Sequence, residues 1–525
     1  MINYKIKPVE EMTVDELIGQ VIMVGLPGLE LDEFYKNFIN DYKIGNYILF
    51  ARNYQDTKQM KSFMKDLYQY TIKTTDSFPL VSIDQEGGMV VRLFKDVTFP
   101  ASPLSTSATN VLNAPYITGK IIGKDMLKMG INLNLAPCLE VNEDLLNPLV
   151  NVRGYGANKE IVLKNATLFV KGLQDSYALS CIKHFPGAGS STKDSHLELP
   201  IIDDSKEQLL NYNMYPFLKL LESDALMSSH CVYKAFDETP STLSKILLTD
   251  VLRNEYNYQG LIISDGMEMK AIADHYGIGE GCVLALNAGC DILLLCHEYE
   301  EQKNAFDTVK QAVLENRLSI DLLKEKVQRI NFAKEKVLKG LKQYFNNEEY
   351  IINQEEHQIM QEIVDNSYTL IKGNIPNLID HLPINQNSLI ISSNAKVASI
   401  VEDEFDERNL TNALKHNFPN NKVVKFNNDI NFVSEILDNI KNNDYSNIII
   451  YSYDAYRDNI QKETINKILE TNKETYVVSI KGPIDYPYFK NLHNYSCLYE
   501  YTPNSIRTII KQLKKQINLN GKLPK

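Results

Sequence analysis

The stretch richest in reactive side chains runs from Lys183 to His196: Lys183-His184-Phe185-Pro186-Gly187-Ala188-Gly189, then Ser190 to Lys193, then Asp194-Ser195-His196. Lys183 and His184 close an apolar run, and Pro186, Gly187 and Gly189 force an irregular loop after it. Asp194 and His196 stand close enough in sequence for the carboxylate to orient the imidazole and raise its basicity, as a general acid–base pair requires. A capping Asp beside a surface His has the same pattern. Asp265 ends the run Gly260-Leu261-Ile262-Ile263-Ser264. A carboxylate there suits a nucleophile, a metal ligand, a hydrogen-bonded anchor or the N-cap of a helix over Met267–His275.

Asp84 opens Asp84-Gln85-Glu86-Gly87-Gly88, with Arg92 in the same segment, and Arg153 lies in Asn151-Val152-Arg153-Gly154-Tyr155-Gly156. The forked groups of Arg and Asp match vicinal hydroxyls and amide oxygens of a sugar ring, and equally match each other in an ion pair across a barrel mouth. A metal set of His184, His196, His230 and Asp265 is weaker, because no H-x-x-x-H spacing places two of them on one helix face.

These residues need a scaffold. Eight short apolar runs read as strands: Val21–Gly25, Tyr47–Phe50, Leu80–Asp84, Leu133–Leu139, Ser180–Phe185, Ala225–Val232, Leu261–Asp265 and Ile292–Cys296. They are apolar on both alternate faces, as strands covered on both sides must be. Amphipathic stretches such as Asp56–Lys73, Lys159–Leu173, Lys206–Leu221, Leu243–Tyr256 and Glu300–Leu314 lie between them. The alternation is that of an α/β protein, either a closed (β/α)8 TIM-type barrel or a wide open sheet. Polar residues collect at the strand ends (Arg52, Asp84, Glu140, Lys183, His184, His230, Asp265, His297), and only a barrel brings all those ends to one face. Residues 1–320 are therefore expected to form a catalytic barrel, 321–354 a charged helical connector, and 355–525 a smaller open α/β sandwich domain. In the last, Ser388–Ser392, Lys422–Phe426, Asn447–Tyr451, Thr475–Ile480 and Cys497–Tyr501 read as five strands, and no glycine-rich phosphate loop follows any of them.

Composition narrows the function. With net charge −12 and 23% charged residues in 525, a general nucleic-acid binder is excluded, and no basic stripe offers itself to an anionic membrane. The seven cysteines form no C-x-x-C pair, which suits reduced buried thiols. No apolar run approaches the ~18 residues of a membrane span, and the N-terminus lacks an apolar secretion core, so a cytoplasmic protein is expected.

Taken together, the motifs resemble glycoside hydrolase family 3, in its β-N-acetylglucosaminidase (β-N-acetylhexosaminidase) branch. The family pattern K-H-F-P-G-H-G-D-T-x-x-D-S-H aligns without a gap to Lys183 through His196, and I-D-Q-E-G-G-x-V-x-R-L matches Ile83 to Leu93. G-I-N-L-N-L-A-P matches Gly130 to Pro137, P-x-T-L-S matches Pro240 to Ser244, and G-x-x-I-S-D matches Gly260 to Asp265. The resemblance covers the first domain; the second fits two-domain members in outline. It implies that Asp265 is the nucleophile, that His196 is the acid/base polarised by Asp194, and that Asp84, Arg92, Arg153, Lys183 and His184 hold the terminal sugar. It implies retention of configuration through a covalent glycosyl-Asp, with no metal or organic cofactor. The implied partner is a small carbohydrate, a GlcNAc-ended glycan or muropeptide from cell-wall turnover. A glycoside phosphorylase, a β-glucosidase and a non-catalytic sugar sensor on the same fold are the alternatives; oligomeric state stays open. The chain departs from the pattern at Ala188, Ser190, Ser191, Met89 (where an Arg is frequent) and Gly266 (where a second Asp is common).

Overall fold

The computed structural model describes residues 2–148, 150–187, 198–346, 350–373, 387–393, 409–427, 429, 431–471 and 473–525. In the first part, β1 (Ile22–Gly25), β2 (Asn46–Leu49), β3 (Leu80–Ile83), β4 (Leu133–Asn134) and β5 (Leu179–Phe185) are all parallel neighbours in chain order. A two-stranded side sheet pairs β6 (Ile201–Ile202) with β8 (Val232–Tyr233). With β7 (Ala225–Ser228), β9 (Leu261–Gly266) and β10 (Ile292–Leu295), the main sheet closes in the order β1-β10-β9-β7-β5-β4-β3-β2. The eight-stranded TIM-type barrel expected from the strand runs is thus the observed fold.

Every residue of β1, β2, β3, β7 and β10 is buried, which is why those runs are apolar on both faces. Burying each large apolar side chain contributes about 1.5–3 kcal/mol, and truncating one, as in Leu294→Ala, costs about 2–5 kcal/mol. The outer helices carry their own start signals. Asp56 accepts from Gln59 N to open Thr57–Thr75, and Asn158 accepts from Ile161 N to open Lys159–Asp175. Asp76, at φ 54°, ends the first of these in the left-handed region.

Two strands are shorter than their apolar runs. β4 stops at Asn134, and Pro137 in that run has no N–H to offer a ladder. The run Ala225–Val232 splits because His230 turns inward to bond β9, leaving Val232 to the side sheet. The expected helix over Lys206–Leu221 is broken before Pro216, which lacks the N–H an uninterrupted helix needs. The helix Ile320–Gly340 buries Leu323, Val327, Ile330 and Val337 in the same apolar cluster as the barrel strands.

The second part holds six strands among the described residues, not five. The expected set misses β11 (Thr369–Lys372), an edge strand antiparallel to its neighbour. The others are β12 (Ser388–Ser392), β13 (Lys422–Lys425), β14 (Asn447–Ser452), β15 (Thr475–Ser479) and β16 (Asn494–Cys497), in the order β11-β16-β15-β14-β12-β13. β16 overlaps the expected Cys497–Tyr501 only at Cys497, because Leu498–Tyr501 leave the sheet and pack against barrel residues. Met89, Leu104, Leu145 and Val152 share one buried cluster with Tyr451, Ile480, Tyr499 and Tyr501. Glu500, fully buried, accepts from Ser102 N at 2.6 Å and Ser105 Oγ at 3.0 Å, and burial pushes its carboxyl up. Among the described residues, no helix is long and apolar enough to cross a membrane.

Candidate active site

Short side-chain pins fix the strand ends that form the barrel mouth. Asn132 accepts from Val81 N at 2.8 Å and donates to Pro79 O at 3.0 Å. Asn134 accepts from Gln85 N at 3.1 Å and donates to Gln85 O at 3.0 Å. The two asparagines of the Gly130–Pro137 motif therefore hold β3 against β4. Gln85 Oε1 in turn accepts from Arg92 N at 2.8 Å and Leu93 N at 3.1 Å, folding the Asp84–Leu93 segment back on itself. Gly88 makes the turn, at φ +60° and with the space of its missing Cβ taken by Ser102.

That fold-back lines up charges. Lys183, on β5, reaches Asp84 Oδ1 at 2.7 Å and Glu86 Oε1 at 2.8 Å. Arg153, ending the 3-10 turn Asn151–Arg153, grips Glu86 through Nε at 2.9 Å and Nη2 at 2.7 Å. Arg92 Nη2 lies 3.5 Å from Asp84 Oδ2. Burial works against the Glu86 carboxylate, but the charges and hydrogen bonds of Arg153 and Lys183 outweigh it and hold the group well below the usual carboxylate range. Burial likewise opposes the Lys183 ammonium, and Asp84 and Glu86 overcome it and raise the group. His184 sets its Nδ1 2.6 Å from Glu140 Oε1, which also accepts from His184 N at 2.8 Å. Against its burial, the Glu140 carboxyl is lowered by His184.

Asp265 stands in β9, partly exposed, with Gly266 N donating to its Oδ1 at 2.8 Å. It is not a helix cap: the next helix is Lys270–Tyr276, preceded by Met269. His230 fixes the residue after it, donating Nε2–H to Gly266 O at 2.9 Å, with Nδ1 2.8 Å from Thr242 Oγ1. Thr242 and Ser241 belong to the Pro240–Ser244 motif; Ser241 Oγ also donates to Phe185 O at 3.1 Å, at the end of β5. Beside Asp265 on the chain, Glu268 Oε1 accepts from Cys296 N at 2.5 Å, and burial raises the Glu268 carboxyl to about 7.

Asp84, Arg92, Arg153 and Lys183 thus come together at the mouth, joined through the carboxylates of Asp84 and Glu86, and His184, next to Lys183 on β5, pairs with Glu140. Asp194 and His196 lie outside the described residues. Glu86 and Glu140, the carboxylates that hold Arg153, Lys183 and His184, are absent from the set of site residues read from the sequence. The available signals were an acid inside Asp84-Gln85-Glu86-Gly87-Gly88 and another directly after the Leu133–Leu139 run. Cys138, Glu140 and His184 bring their ligand atoms within 4.8 Å of one another, the one such group among the described residues able to hold a metal. The metal set of His184, His196, His230 and Asp265 is not supported at His230, whose Nε2 is spent on a carbonyl.

Known proteins share this fold. A glycoside hydrolase family 3 β-N-acetylglucosaminidase from Paenibacillus sp. str. FPU-7 superposes with a TM-score of 0.90 at 29% identity, covering 98% of each chain. The beta-hexosaminidase of Photobacterium profundum is 32% identical over 294 residues, 55% of this chain and 86% of its own length. Beta-hexosaminidase A of Pseudoalteromonas piscicida is 33% identical over 277 residues, but this chain spans only 46% of that protein. With this barrel, this mouth and these relatives, the chain is a glycoside hydrolase. Residues 13–332 match the glycosyl hydrolase family 3 N terminal domain, and the chain belongs to that family.

Proposed function

We propose that the protein is a retaining exo-β-N-acetylglucosaminidase that removes a non-reducing GlcNAc from peptidoglycan turnover fragments. The observation that carries this reading is the charged cradle at the barrel mouth that also bears Asp265. Asp84, Arg92, Arg153, Lys183 and His184 offer an array of acceptors and forked donors suited to ring hydroxyls, each held by a charged partner side chain. The relatives named for β-hexosaminidase and β-N-acetylglucosaminidase activity support the choice of sugar.

In this reading Asp265 attacks the anomeric carbon while His196, polarised by Asp194, protonates the leaving oxygen. A covalent glycosyl-Asp265 forms and the aglycone leaves. His196 then takes a proton from water, which releases GlcNAc with its configuration retained. The bond from Gly266 N to Asp265 Oδ1 orients the carboxylate for the attack. Seven buried cysteines, all free thiols, agree with a cytoplasmic enzyme acting on imported fragments.

Initial rates on chromogenic β-GlcNAc and β-glucose glycosides, with and without phosphate, test the reading. The expected result is preference for the N-acetyl substrate, free GlcNAc as product, and loss of turnover in Asp265→Asn. Sugar 1-phosphate as product would assign a phosphorylase, and preference for glucose a β-glucosidase. Tight GlcNAc binding without turnover of any substrate would assign a sensor.

A further inference from the structure

The loop that carries Arg153 is held from behind by the second domain at two separate points. On one side stands Gly482, just past β15: a Cβ built there would lie 2.6 Å from Asn151 Oδ1, so the domain bears directly on the residue two before Arg153. On the other side the chain's last residues return to the barrel. Lys522 N donates to Ala108 O at 2.9 Å, and Pro524 O accepts from Ala157 N at 2.9 Å. Gly156 leaves room for that approach, since a Cβ on it would stand 2.9 Å from Pro524 O. Between the two holds, Val152 is buried in the apolar cluster of the second domain.

We propose that residues 522–525 and Gly482 together form a clamp that positions Arg153 for the sugar, making the second domain a working part of the binding site. The proposal rests on the reading that Arg153 holds the substrate. Arg153 is a fork that must meet Glu86 with two nitrogens at once, at 2.9 and 2.7 Å. A loop freed at both ends would sample orientations in which one of those bonds is lost, and displacement by ~1 Å at a binding group is enough to be felt in the kinetics. The clamp acts on the loop of Arg153 and not on β9, so its loss falls on binding more than on the chemical step.

The test is a four-residue truncation, removing 522–525, of which only Pro524 is buried. The full-length protein and variants are assayed for KM and kcat on a chromogenic β-GlcNAc glycoside, and for GlcNAc affinity by calorimetry. The expected result is a roughly tenfold weaker KM and GlcNAc Kd with kcat within about twofold. Gly482→Ala moves both in the same direction. In an Arg153→Ala background the truncation adds nothing further, because the group it positions is gone. If Arg153→Ala weakens binding but the truncation and Gly482→Ala do not, the clamp is wrong and the reading of Arg153 stands. Additive losses in the double variant also overturn the clamp. If Arg153→Ala leaves affinity unchanged, the reading beneath the proposal fails, and the proposal with it.

Discussion

Lys183 Nζ lies 2.8 Å from Glu86 Oε1, the same oxygen that Arg153 Nη2 meets at 2.7 Å. One buried acid therefore balances two cations. Glu86→Gln keeps the shape and removes the charge, leaving Lys183 with Asp84 alone and Arg153 without its counter-ion. The expected cost is about 3–5 kcal/mol of stability, read as a lower urea midpoint, with a KM raised about tenfold. Glu86 is depressed below its ordinary 4.5, so its contribution is present above that pH and disappears as pH falls through its lower folded value. The gap between wild type and variant should accordingly be full at pH 7 and shrink below pH ~4.

Glu268 carries the opposite sign. Its carboxyl is raised from 4.5 to about 7 by burial, so the folded protein resists ionising it. The cost is absent below 4.5, grows between 4.5 and about 7, and is constant above; that interval corresponds to about 3 kcal/mol at most. Glu268→Gln keeps an oxygen for Cys296 N. It should raise the melting temperature at pH 8 and leave it nearly unchanged at pH ~4.5. Equal shifts at both values would disprove the assignment.

Met89 explains one departure from the family pattern. It is 2% exposed and its Sδ accepts from Tyr501 N at 3.2 Å, inside the apolar cluster of the second domain. Met89→Arg restores the residue frequent in the family but buries a cation in that cluster, at an expected cost of more than about 3 kcal/mol. Met89→Leu should cost under ~1.5 kcal/mol. Chemical denaturation of both variants checks the contrast.

His230 holds Gly266 O at 2.9 Å, directly behind Asp265. His230→Phe fills the volume but lets the Asp265–Gly266 unit shift. If Asp265 is the proposed nucleophile, the expected effect is a fall in kcat of about 10–100-fold with KM changed less than about threefold, since that carboxylate and not the cradle is disturbed. A KM effect larger than the kcat effect would count against this role.

Much of the barrel is legible in the chain itself. A strand covered on both faces must be apolar at nearly every position, so β1, β3 and β10 appear as short apolar runs whatever surrounds them. The reactive residues are also local: Lys183 and His184 sit together, and Asp265 ends its own run. The limits of such reading are equally physical. Thr369–Lys372 is a half-exposed edge strand, and the pattern Thr-Leu-Ile-Lys carries little periodic signal in four residues. His230 breaks an apolar run only because a carbonyl of another strand waits for its proton.

The local pattern alone carries the strand runs of the barrel and their order along the chain, the residue types that gather at their ends, and the family those motifs mark. Which side chains become partners follows from the packed fold. Arg153 could have met Asp84 or Glu86, and it is Glu86, 67 residues away, that takes it. Met89 could have faced the mouth, and instead it turns to Tyr501, 412 residues on. Ion pairs and apolar contacts of this reach depend on where closure of the barrel and docking of the second domain place each side chain. That placement is a property of the whole packed chain, and no local window of residues contains it.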